Sequence, residues 1–151
     1  INHPAPPMAA AEQRETFESV LSQSLGEGCT LQVAQSLHEW MRDKVEEYKE
    51  SREDEPLTVT AADVSAVLQD CQVSEEQVQA FAAQYAEHFG SAALNPANLM
   101  NVGKFELETE EAKISVDPER SSLLETTEIN GRKYLLIPAE NMSVNGLPVQ
   151  V

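Results

Sequence analysis

The spacing of apolar positions changes once along the chain. Up to about Asn101 they recur every three to four residues, the mark of amphipathic helices; beyond it they alternate, the mark of half-covered strands. Four helices are expected in the first part. Phe17, Val20, Leu21 and Leu25 share one face of a helix from about Ala9 to Leu25, and Gly26 supplies its stop. Thr30 is placed to cap a second helix, whose stripe is Val33, Leu37, Trp40, Met41, Val45 and Tyr48. It runs into a charged tail, Glu46 to Glu55, closed by Pro56. The third helix spans Thr60–Cys71, with Thr60 and Asp63 spaced as a capping box and Val59 and Val64 as a hydrophobic staple. The fourth spans Ser74–Phe89 and repeats the device with Ser74, Gln77, Val73 and Val78, ending at Gly90.

In the second part, Phe105 and Leu107 alternate with Glu106 and Glu108, and Ile114 and Val116 with Lys113 and Ser115. Asp117-Pro118-Glu119-Arg120 reads as a turn with proline at its second position. The segments Leu124–Ile129 and Arg132–Ile137 flank Asn130-Gly131, the strongest short hairpin signal, because a type I′ turn needs positive φ at both central residues. These two strands are the most apolar and are expected to form the centre of one sheet anchored on the helices. Asn145-Gly146 marks a smaller terminal hairpin from Met142 to Val149, with Pro148 suited to an edge.

Charge removes the obvious function of the third and fourth helices. Their helix-turn-helix pattern suggests DNA, yet no lysine or arginine lies between Arg52 and Lys104; Asp63, Asp70, Glu75, Glu76 and Glu87 stand there instead. A DNA reader needs cations against phosphates. The net charge of −16 argues equally against nucleic acid and an anionic membrane surface. Residues 1–101 carry 17 acids and 5 bases, and residues 102–151 carry 9 and 5.

Two cysteines, Cys29 and Cys71, are too few for a disulfide scaffold and point to free thiols, with Cys71 the more buried. No apolar run reaches membrane-spanning length and no signal peptide is visible; Ile1 reads as an internal start or a processed end. His38-Glu39 has Arg42 where a zinc-binding helix would place a second histidine, and His3 lies in a proline-rich arm. His38 and His88 read as partly exposed helix residues. The Asp70–Glu75 turn lacks the ligand spacing and central glycine of a calcium loop. No phosphate-binding glycine motif occurs, and neither cysteine has a histidine beside it in sequence. Glu106, Glu108, Glu110 and Glu111 read as a solvated strand face and turn. Asn141-Met142-Ser143 matches a glycosylation acceptor by chance.

The segment Ala93-Leu94-Asn95-Pro96-Ala97-Asn98-Leu99 and the stretch from Val116 to Ala139, with Asp117-Pro118-Glu119-Arg120 and Glu128-Ile129-Asn130-Gly131-Arg132-Lys133-Tyr134, resemble the carboxy-terminal part of an uncharacterised family. That family occurs mainly in Firmicutes, often gut clostridia, and is classed as a domain of unknown function. The resemblance runs from about Phe17 to the end. It implies a bacterial, intracellular origin and a longer parent protein, and it carries over no functional residue.

The expectation is an α+β fold, with about four N-terminal helices packed on a C-terminal antiparallel sheet of four to five strands. Residues 1–9 are expected to be a linker or arm, 10–101 a helical lobe and 102–151 an antiparallel β lobe packed with the helices as one unit. The leading functional reading is a cytoplasmic, non-enzymatic interaction or structural module at the C-terminal end of a larger bacterial protein. One alternative is an enzyme-associated domain completing an active site elsewhere. Another is an acidic mimic that binds a basic protein. No residue is assigned a catalytic, cofactor-binding or metal-binding role, and no cofactor is expected. A protein partner is expected, of unknown identity, without nucleic acid or membrane; the oligomeric state stays open.

Overall fold

The computed structural model describes residues 8–151. It has the α+β order read from the sequence, helices first and strands after. The helices are α1 (Ala10–Leu25), α2 (Leu31–Ser51), α3 (Ala61–Asp70), α4 (Glu75–Phe89) and a single turn, α5 (Pro96–Leu99). The last was not foreseen, although Asn95 as cap and Pro96 at the first helical position are its usual start signals.

Local chemistry sets the helix ends. Gly26 at φ 51° and Gly90 at φ 65° stop α1 and α4. Thr30 accepts the Val33 N–H at the start of α2. Thr60 and Asp63 close a reciprocal capping box on α3: the Asp63 N–H donates to the Thr60 hydroxyl at 3.3 Å and the Thr60 N–H to the Asp63 carboxylate at 3.0 Å. The second expected box is only half made. Ser74 accepts the Gln77 N–H at 3.2 Å, but the Gln77 amide donates instead to the Leu25 carbonyl at 2.8 Å. That carbonyl ends α1 and opens the 3-10 turn Gly26–Gly28, so the cross-helix bond ties the start of α4 to the end of α1. Between α3 and α4 the chain makes a Schellman turn, Val73 N–H to Leu68 carbonyl and Gln72 N–H to Gln69 carbonyl, with Gln72 at φ 64°.

The core lies among the helices. Phe17, Val20, Leu21 and Leu25 of α1 meet Val78, Phe81 and Tyr85 of α4, with α2, α3 and Leu99 of α5 closing it. Phe17 and Phe81 are fully buried, edge to face at 6.3 Å. A two-residue bridge between Val59 and Leu94 ties the entrance of α3 to the exit of α4.

The strands pair differently from the expected single sheet of four to five. They form three separate antiparallel ribbons: β1 (Phe105–Glu108) with β2 (Lys113–Val116), β3 (Glu125–Ile129) with β4 (Arg132–Leu136), and β5 (Ser143–Val144) with β6 (Leu147–Pro148). The first ribbon behaves as its alternation requires. Register puts Phe105, Leu107, Ile114 and Val116 on one face, where Phe105 is buried and the rest half-buried, while Glu106 and Glu108 stay in water. The second ribbon is the surprise. Expected at the centre of a sheet, it projects largely exposed. A 3-10 turn, Pro118–Leu123, separates β2 from β3, and its end is fastened to α2 rather than beside the first ribbon. Both Asn-Gly pairs do form type I′ turns, with φ of 52° and 79° at Asn130-Gly131 and 50° and 86° at Asn145-Gly146.

Because the second ribbon stands apart from the core, Gly131→Val should loosen it locally, by about 1–3 kcal/mol of backbone strain. Amide exchange across residues 125–136 should accelerate, while the urea midpoint followed by the single tryptophan, Trp40, should stay within about 0.5 kcal/mol. Phe81→Ala should lower that midpoint by about 3–5 kcal/mol. A global loss on Gly131→Val would show that the ribbon is part of the core.

Candidate interaction surface

The sequence's candidate chemical groups do not converge. His38 is buried, at 3% exposure, which corrects its reading as a partly exposed residue. His88 is exposed on α4. His3 lies outside the described residues. Cys29 is exposed and Cys71 half-buried, both free thiols. Partial desolvation of the Cys29 sulfur pushes its pKa above the ordinary thiol value, which makes its thiolate scarcer. Burial, and secondarily Asp63, pushes the Tyr85 phenol up; it donates to the Ala92 carbonyl at 3.2 Å. Glu106, Glu108, Glu110 and Glu111 are all exposed. Among the described residues no group of three or more His, Cys, Asp or Glu side chains could hold a metal ion, and no helix is long and apolar enough to cross a membrane.

What His38 does instead is fasten the strands to the helices. Three polar side chains of α2, Gln35, His38 and Arg42, lie along one face at helical spacing. Gln35 Nε2 donates to the carbonyls of Ser121 at 2.7 Å and Leu124 at 3.1 Å. His38 Nε2 lies 2.7 Å from the Lys104 carbonyl and 3.2 Å from that of Asn101. Both partners are acceptors, so Nε2 must carry the proton. Nδ1 is buried without a hydrogen-bond partner among the described residues, and the ring sits edge-on to Phe105 at 5.1 Å. Arg42 reaches Glu119 at 3.2 Å and Glu46 at 3.0 Å. Sequence reading missed this row because it followed the apolar stripe one position away; the signal was a run of donors at i, i+3 and i+7.

The surface that stands out is apolar. Among the described residues, Leu123, Ile129, Tyr134, Leu136, Ile137, Met142, Val144, Leu147 and Val151 are the large hydrophobic residues left exposed, and all lie from Leu123 onward. Cross-strand register decides their direction in the second ribbon. Glu125 faces Leu136, Thr127 faces Tyr134 and Ile129 faces Arg132, so Ile129, Tyr134 and Leu136 occupy one face together. The other face holds Thr126, Glu128, Lys133 and the half-buried Leu135. Val144 and Leu147, cross-strand partners in the third ribbon, are also exposed. At the tip of the first ribbon an open cleft of about 540 Å³ separates residues 109–112 from β4, spanned by an exposed Arg132–Glu111 pair at 3.5 Å.

Residues 3–147 match the model of a family described as a domain of unknown function, DUF4317. The chain belongs to this family. The match covers nearly all of its length, so the helical core and the exposed ribbons belong to one DUF4317 unit of sequence. No curated protein and no solved structure matches it.

Two outcomes test the geometry of this DUF4317 chain. Gln35→Met keeps the volume and removes the donor, leaving the Leu124 carbonyl without it and the Ser121 carbonyl with only the Leu124 N–H; it should cost on the order of 1–2 kcal/mol in urea unfolding and speed amide exchange in residues 118–124. Nitrogen chemical shifts should report a proton on Nε2 of His38; a ring with a bare Nε2 would break the assigned bond to Lys104. For the thiols, a neutral alkylating reagent should modify Cys29 before Cys71. The rate at Cys29 should keep rising with pH beyond the ordinary cysteine midpoint, because its pKa is raised. Faster labelling of Cys71 would contradict the burial order.

Proposed function

We propose that this DUF4317 chain is a non-enzymatic protein-interaction module, and that the apolar face of the β3–β4 ribbon is its docking surface. The observation that carries the reading is the segregation of exposed hydrophobics. The helical part and the first ribbon turn their apolar faces inward, whereas the second ribbon turns Ile129, Tyr134 and Leu136 to water on one face. A two-stranded ribbon is marginal alone, and contiguous exposed apolar surface marks an interaction site. The acidic face of α3 and α4, without cations, supports a protein partner rather than nucleic acid. The resemblance to a Firmicutes family supports a bacterial parent protein, and the two free thiols fit a reducing cytoplasm.

The experiment is site-specific photocrosslinking in the bacterial host. A photoreactive residue at Tyr134 should give discrete protein adducts, and the same residue at Glu76, exposed on α4, should give none. Equal labelling at both positions, or no adduct at Tyr134, would sink the proposal.

A further inference from the structure

We propose that the Asn145-Gly146 turn is a site of spontaneous covalent modification, at which Asn145 is converted to aspartyl and isoaspartyl residues, while the longer second ribbon shields the same dipeptide at Asn130-Gly131. The reaction needs no partner, so it is independent of the interaction reading above. Its chemistry belongs to the dipeptide. The backbone nitrogen of Gly146, once deprotonated, attacks Cγ of the Asn145 side chain. An N–Cγ bond forms, the bond from Cγ to the side-chain nitrogen breaks, and that nitrogen departs as ammonia, taking up the proton the backbone gave. Water then opens the five-membered imide at either carbonyl. One opening gives aspartate; the other gives isoaspartate, in which the main chain runs through the side-chain carbon. Either product carries a carboxylate where the amide stood, and nothing is oxidised or reduced. Glycine suits the attack because no side chain crowds its nitrogen and its backbone is unrestricted. Asn145 and Gly146 are both exposed to water, and the space where a glycine side chain would stand is open.

The two Asn-Gly turns differ in little but their ribbons. Both are exposed type I′ turns, and each follows a β-branched residue, Ile129 or Val144. Such a turn holds asparagine in the left-handed conformation, at φ 52° and 50° here, where the next backbone nitrogen points away from the side chain. The imide therefore closes only when the turn opens, and its rate follows the opening equilibrium of each ribbon. The second ribbon holds its turn with five cross-strand pairs, from Ile129 with Arg132 to Glu125 with Leu136, and Gln35 fastens its base at Leu124. The third has two pairs, Val144 with Leu147 and Ser143 with Pro148, followed by one bond from the Val149 N–H to the Met142 carbonyl. Asn145 thus sits in the turn that opens more often. Asn141 is also left-handed, at φ 54°, but the Met142 side chain crowds the nitrogen that would attack. Isoaspartate adds a methylene to the main chain, so the two-residue turn that sets Val144 against Leu147 no longer fits. Modification releases the terminal hairpin.

Ageing the whole chain at mildly alkaline pH tests this, with peptide mapping to locate the amide-to-acid mass gain and isoaspartyl methyltransferase to label the isoaspartate. In native buffer Asn145 should convert roughly tenfold or more faster than Asn130. In guanidinium chloride, where both ribbons are open, the two rates should come within about threefold of each other. Amide exchange across residues 142–149 of the aged chain should accelerate, while that across residues 125–136 holds. Retention of asparagine at position 145, equal rates in native buffer, or a preference for Asn145 that persists undiminished in denaturant would overturn the proposal. So would an aged chain that carries isoaspartate at this turn and yet exchanges its terminal hairpin as slowly as the fresh one.

Discussion

The β part of this protein depends on a row of donors along one face of α2. Gln35 and His38 hold four backbone carbonyls, at Asn101, Lys104, Ser121 and Leu124, that bracket the first ribbon and the 3-10 turn. The Ser121 carbonyl also accepts the Leu124 N–H, but the other three rely on these side chains at a partly dry boundary, where an unmade hydrogen bond costs more than a made one contributes. Arg42 extends the row, but its partner Glu119 is 70% exposed, so that pair adds little against solvent. The weight falls on Gln35 and His38. With them in place, Phe105 packs on the His38 ring and Leu124 is buried at 4% exposure, and the strands have a fixed origin on the helical core.

The same attachment explains why the ribbons differ. The first lies between two of the held carbonyl pairs, so its apolar face is drawn toward the helices. The second begins immediately after Leu124, the last held residue, and nothing further along it is fastened to the helices by a side-chain hydrogen bond among the described residues. Its hydrophobic face is therefore left to whatever meets the protein from outside. The ribbon is thus held to the helices at its base, and near its turn it meets the tip of the first ribbon through the exposed Arg132–Glu111 pair at 3.5 Å.

Much of the fold was legible in the residues. Thr30, Thr60 and Ser74 cap the helices predicted from them, Gly26 and Gly90 end theirs, and both Asn-Gly pairs adopt the turn their chemistry favours. These are short-range effects, in which a side chain acts on backbone groups within four residues of itself. The apolar stripes of α1, α3 and α4 likewise became the core. Apart from the single turn α5, whose start signals are local, the departures involve distant partners. Gln77 left its capping box for the Leu25 carbonyl, 52 residues away in sequence. His38, read as partly exposed, was drawn under the strands by carbonyls more than 60 residues away.

By itself, then, the sequence determined where the helices and hairpins begin and end, which residues share a face, and that the helix-turn-helix face is acidic. Those properties follow from helical and strand periodicity, turn stereochemistry and charge. Only the tertiary structure decided which faces are covered. Alternation places Ile129, Tyr134 and Leu136 on one side of a ribbon, but whether that side meets the core depends on where the ribbon is attached. Hydrogen bonds from Gln35 and His38 to backbone carbonyls set that attachment, and a carbonyl is present at every residue. No pattern of side chains therefore marks which carbonyls will be chosen, and the exposed face that carries the functional reading was hidden for that reason.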